Sequence, residues 1–317
     1  MKYILSVFLG AVSYGILSTI VVKAYGQGYT LGEVVGTQLL TGFLLAWGLA
    51  WFTKWKENRK AMAQAGDPNP TVATAAALTW KHRLMLMAAG MPTAITGLVY
   101  YHSLRYIPAS LAIILLFQFT WIGVLIQAAS QRKRPNGVMI ITLIVLFGGT
   151  LLAAGVLEQG TGGFNLMGIL FGLLAAVSYS LFILFSGKAV PEANPVYRSA
   201  WMLTGGLVLV FVLFPPTYLF NGEIVSQLMM FGFLLGLFGA FIPPILFAVG
   251  VPHIGGGMSS ILGASELPVA VMLSSLVLNE HVSALQWGGV ILVLLGVALP
   301  ELYKFKQRPQ ARTLSYK

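Results

Sequence analysis

Residues 255–278 read GGGMSSILGASELPVAVMLSSLVL, a run long enough to span a bilayer that carries a carboxylate, Glu266, at its middle. A hydrocarbon core about 30 Å thick takes about 20 helical residues, so Glu266 falls near the midplane, where an unpaired ionised side chain is costly. Such residues face a bundle interior or a water-filled cavity. Two readings stay open: a buried carboxyl satisfied by hydroxyls such as Ser265 and Ser259, or a group that meets a substrate or a proton inside the membrane.

The rest of the chain agrees with a membrane setting. Of 317 residues, 57% are apolar and 9% charged, against about 25% charged in soluble domains, so no water-facing surface of ordinary composition can be built. A net charge of +10 would suit nucleic acid only if it formed a folded basic face. Here the basic residues sit in short gaps between apolar runs, which points to anionic lipid headgroups and away from nucleic acid. With no cysteine there are no disulfides and no thiolate metal sites. The first apolar run follows Met1 and Lys2 directly and lacks a small-x-small cleavage site, so it is read as a retained membrane helix.

Ten apolar segments are marked: 3–22, 33–53, 84–104, 109–130, 138–157, 165–186, 199–220, 228–250, 255–278 and 286–303. Backbone amides in lipid need internal partners, and the runs lack period-2 alternation, so the segments are helices and not barrel strands. With an odd-even assignment of the loops, only Lys23 and Arg105 fall on one side, and the other seventeen of the 19 Lys and Arg on the opposite one. The positive-inside rule then puts both termini in the cytoplasm, in a multi-pass protein of the plasma or inner membrane. The long 54–83 connection is read either as a helix on the inner leaflet, anchored by Trp80, or as a flexible loop.

The halves repeat. Ala11-Val12-Ser13-Tyr14 recurs as Ala176-Val177-Ser178-Tyr179 at an offset of 165, and later the offset becomes 148, pairing Gln118 with Glu266 and Gly148 with Gly296. The change of 17 follows from the long loop after the second segment, whose counterpart around 221–227 is short. Five helices per half is an odd number, so the second copy enters the membrane from the other side. The expected fold is all-α and integral to the membrane, with ten helices in two inverted five-helix repeats, 1–157 and 165–303, and a basic cytoplasmic tail, 304–317.

Gln118 thus stands opposite Glu266 at mid-depth, the level at which inverted-repeat carriers bind substrate. It is read either as a structural tie to Glu266 or as a substrate contact. Around the pair lie Phe117 and Trp121 on the fourth helix, Tyr14 and Tyr179 on the first and sixth, and Tyr100 and Tyr101 on the third. A carboxylate beside aromatic faces suits an amine or a quaternary ammonium. Glu266 is expected to bind proton or substrate, and Gln118, Trp121, Tyr14, Tyr179, Phe117, Tyr101 and Ser259 to line the cavity. The third, eighth and ninth helices hold Pro92, Pro243-Pro244 and Pro268, which lets them bend. No HExxH, GxSxG, P-loop or GxGxxG pattern accompanies the four histidines, so neither an enzyme nor a cofactor is read.

Two runs, Tyr100 to Ala112 (YYHSLRYIPASLA) and Glu266 to Gly296, resemble the two repeat signatures of the EamA family in the drug/metabolite transporter superfamily. The second is the more specific, through Glu266-x-Pro268, Asn279-Glu280-His281 and Gln286-Trp287-Gly288. The resemblance implies a ten-helix carrier with a central cavity lined by helices 1, 3, 4, 6, 8 and 9. Two departures are the long 54–83 loop and Gln118-Phe119-Thr120 in place of a proline-containing signature. The expected function is proton-coupled efflux of a small metabolite, amino acid or amphipathic cationic drug by antiport. Import, facilitated exchange and a lipid-modifying membrane enzyme are the alternatives. The expected partners are a small-molecule substrate, protons and anionic lipids at the cytoplasmic face, with a homodimer left open.

Overall fold

A computed structural model describes residues 1–63, 78–132, 137–153, 165–220, 227–296 and 299. Helices begin where the sequence supplies caps. Thr30 and Glu33 close a capping box, Thr30 N–H donating to Glu33 Oε2 at 2.7 Å, and Ser283 with Gln286 makes another. Asn165 and Asn194 accept amide protons from the first turns of their helices. Each satisfies donors that lipid would leave unpaired.

The resulting rods are α1 (Lys2–Gly26), α2 (Leu31–Ala63), α3 (Trp80–Ser103), α4 (Ala109–Gln131), α5 (Gly137–Ala153), α6 (Leu166–Lys188), α7 (Pro195–Leu213), α8 (Gln227–Ile254), α9 (Gly256–Val277) and α10 (Ala284–Gly296). Among the described residues, all but α5 and α10 are long and apolar enough to cross a membrane, and those two are shorter apolar helices. Several of the expected boundaries move. The 54–83 connection is taken up at both ends by α2 and α3, while its middle, 64–77, lies outside the described residues, as do 133–136, 154–164, 221–226 and nearly all of 297–317.

The new start of α7 carries energy. With Pro195 in its first turn behind the Asn194 cap, α7 starts four residues earlier than expected, which draws Arg198 out of the predicted loop into a helix where it is 1% exposed. Its guanidinium donates to the carbonyls of Ser186, near the end of α6, and Ala248 of α8, the latter at 3.1 Å. These bonds offset the cost of burying the charge.

Packing exchanges partners between the halves. α1 lies on α8, α6 on α3, α2 on α7 and α8, and α7 also on α3. Serines stitch the first two pairs. Ser178 Oγ donates to the Pro92 carbonyl at 2.7 Å. Ser13 Oγ donates to the Phe238 carbonyl at 2.7 Å. Phe238 sits in a π-helical segment, Gly236–Phe241, just before Pro243 and Pro244. Those prolines offer no N–H to the carbonyls behind them, and Ser13 supplies a donor there.

Candidate functional site

Three of the rods tighten at mid-length. In α4, the Gln118 N–H donates to Leu115 and not to Ile114, a 3₁₀ step that strips the Ile114 carbonyl of its usual partner. The Gln118 side chain restores one, Nε2 donating to Ile114 O at 3.0 Å. In α9 the Ala264 and Ser265 amides likewise reach back three residues, and the Ser265 hydroxyl donates to the Leu262 carbonyl at 2.8 Å. Ile114 and Leu262 correspond at the offset of 148 that pairs Gln118 with Glu266. The tightened turn is therefore capped by Gln118 in α4 but by Ser265 in α9, which leaves Glu266 without that task.

Glu266 is 3% exposed, and its Oε2 has no hydrogen-bond partner. α1 tightens beside it at Gly15, where a methyl group would come within 2.7 Å of the Glu266 carbonyl oxygen. The carboxyl faces a cavity of about 50 Å³ walled by Tyr14, Tyr100, Tyr101 and Tyr179. Tyr14 and Tyr179 meet edge to face at 5.6 Å. The Tyr179 hydroxyl lies beside the carboxyl without closing a hydrogen bond of normal geometry. Among the described residues no basic side chain lines the cavity. Counting about 10–15 Å³ per water, the space takes a few waters, so a larger guest needs the walls to move.

Of the residues expected at the site, Glu266, Tyr14, Tyr101 and Tyr179 line the cavity. Gln118, Trp121, Phe117 and Ser259 do not. The Gln118 amide is taken up within α4, its Oε1 accepting from Trp121 Nε1 at 2.8 Å. Phe117 is fully buried against Phe119, ring centroids 5.5 Å apart. Ser259 Oγ donates to Gly255 O at 2.9 Å. Neither Ser259 nor Ser265 satisfies the Glu266 carboxyl, because carbonyls one turn back hold both hydroxyls. The wall also contains Thr93, beside the Tyr14 hydroxyl, and Gln38, beside that of Tyr101. Gln38 brings α2 into the cavity, beyond the helices that the resemblance implied. Its signal in the sequence was an amide inside an apolar run.

Residues 166–300, which include Glu266-Leu267-Pro268, match the EamA-like transporter family. The second half of this chain is similar to that family. The chain is 22% identical over 219 residues to the "Uncharacterized transporter sll1319" of Synechocystis sp., a match covering 67% of this chain and 65% of that protein. It is 23% identical over 227 residues to the "Uncharacterized inner membrane transporter YicL" of Salmonella typhimurium, covering 70% and 74%. The chain thus spans just under two thirds of the length of the cyanobacterial relative. A solved structure described only as "Crystal structure of protein" superposes with a TM-score of 0.65 at 14% identity, over 96% of this chain and 98% of that one. The two share a fold.

Proposed function

We propose that this chain is a secondary carrier that exports a small metabolite, amino acid or amphipathic cation in exchange for protons, by alternating access around Glu266. The observation that carries this reading is a carboxyl buried at mid-helix with an unpartnered oxygen, facing a cavity between both halves of the chain. With no basic side chain on the wall, either a proton or a cation can neutralise the carboxyl. One site that holds either a proton or a cation, but not both, couples their movements.

The exchange of partners between halves supports the inverted-repeat reading, in which rocking one set of helices against the other opens the site to alternate sides. The basic excess supports cytoplasmic termini. Exposed Trp51, Trp55 and Trp80 lie at one end of α2 and α3, where Arg59 stacks over Trp55 at 4.5 Å, which supports contact with anionic headgroups.

The test is Glu266→Gln in proteoliposomes, because the amide keeps the size but does not titrate. Each pH unit drives about a tenfold concentration ratio in a one-for-one exchange. The variant is expected to lose all pH-driven accumulation of substrate. Full gradient-driven accumulation by a well-folded variant would show that coupling lies elsewhere.

A further inference from the structure

Resting on that reading, we infer that Gln38 is a second recognition point in the cavity and that the cargo is a short primary amine with a hydrogen-bond donor at its far end. Gln38 is 7% exposed on α2. Its amide lies beside the Tyr101 hydroxyl, and α8 closes on it at Gly239, where a methyl group would stand 2.7 Å from Gln38 Nε2. Its Oε1 has no partner. Four buried oxygens on the wall lack partners: Gln38 Oε1 and the ionised Glu266 Oε2, which only accept, and the hydroxyls of Tyr100 and Tyr179, which also donate; a buried acceptor left unpaired is costly.

The ligand chemistry follows from this inventory. An ammonium group answers Glu266 by charge and by N–H donation, and the four tyrosine rings favour a cation between them. A quaternary ammonium gains the rings but offers no N–H to Oε2. An amino acid brings a carboxylate, and among the described residues the wall holds no Lys, Arg or His to receive it. A hydroxyl or amide N–H beyond an apolar spacer answers Gln38. An ether oxygen there accepts and does not donate, so it leaves Oε1 unpaired.

Binding to the purified, lipid-reconstituted full chain tests this with matched probes of three to six carbons: ω-amino alcohols, the corresponding alkylamines, ω-methoxyalkylamines, trimethylammonium alcohols and ω-amino acids. At the best length the amino alcohol is expected to bind about five- to tenfold tighter than its alkylamine or methoxy partner. It should also outbind the trimethylammonium and carboxylate analogues. Gln38→Leu is expected to bring the ratio of alcohol to alkylamine to about one while alkylamine binding persists. Gln38→Glu should raise affinity for the α,ω-diamine of the same length at least tenfold, and it carries the test if the leucine variant does not fold. Equal binding of alcohol and alkylamine by the wild type, or a ratio unchanged by Gln38→Leu, overturns this inference while the carboxylate reading stands. So does stronger binding of the methoxy, trimethylammonium or carboxylate probe. If no amine of any kind binds, or if Glu266→Gln leaves amine binding intact, the carboxylate reading falls as well.

Discussion

Gln118 and Glu266 occupy corresponding places in α4 and α9, and a single serine separates their roles. Where Ser265 caps the tightened turn, the acidic side chain is left to face the cavity. Where Phe117 stands in the equivalent place, the amide must cap the turn itself. Removing it strands the buried Ile114 carbonyl and the half-buried Trp121 indole N–H. Gln118→Ala is therefore expected to cost about 1–3 kcal/mol of stability, read as a lower midpoint of thermal unfolding in lipid nanodiscs, while amine affinity stays within about twofold. A large affinity change at unaltered stability would place Gln118 at the site after all. The depth of both residues was legible in the sequence, since counting along an apolar run gives it directly. Their orientation was not, because which polar group a 3₁₀ step consumes depends on a one-residue shift in the backbone bonds.

At the scale of elements, the positions of the helices were legible because hydropathy over about 20 residues measures the membrane itself. What it misses is backbone proximity. α3 and α7 cross so closely that a methyl group on Gly90 would strike the Met202 carbonyl, and one on Gly205 the Met87 carbonyl. Membrane helices gain their association energy from such approach, so Gly205→Ala must push the pair apart. The expected result is loss of the monodisperse folded peak on size exclusion, or a destabilisation of at least about 1–3 kcal/mol. Gly48→Ala on α2 is the control, since nothing lies within 4 Å of the added methyl. There, alanine's better helix propensity predicts a neutral or slightly stabilising outcome. A tolerated Gly205→Ala would show that the crossing is looser than drawn. Charge was equally uninformative about α7: Arg198 looks like a loop residue until the carbonyls of Ser186 and Ala248 are found around it.

For the whole molecule, the proposed topology makes the two ends of α4 face opposite sides of the membrane. Tyr106, 42% exposed just before α4, belongs outside, and Ser130, exposed near its other end, belongs in the cytoplasm. The native chain has no cysteine, so an impermeant maleimide applied to intact cells is expected to label Tyr106→Cys and to spare Ser130→Cys until the membrane is opened. The reverse pattern would invert the protein. A repeat was read from a pair of offsets, but the packing of the two halves on each other was not, because contacts across such separations leave no local pattern in the sequence. That packing has a consequence for how the protein is made. Pro92 waits 86 residues for Ser178, and Ser13 waits 225 for Phe238. At about 5–20 residues per second of synthesis, these delays are about 4–17 s and about 11–45 s. The first half therefore sits in the bilayer with donors and acceptors still open until the ribosome has delivered the second, and its maturation is timed by translation more than by its own folding rate.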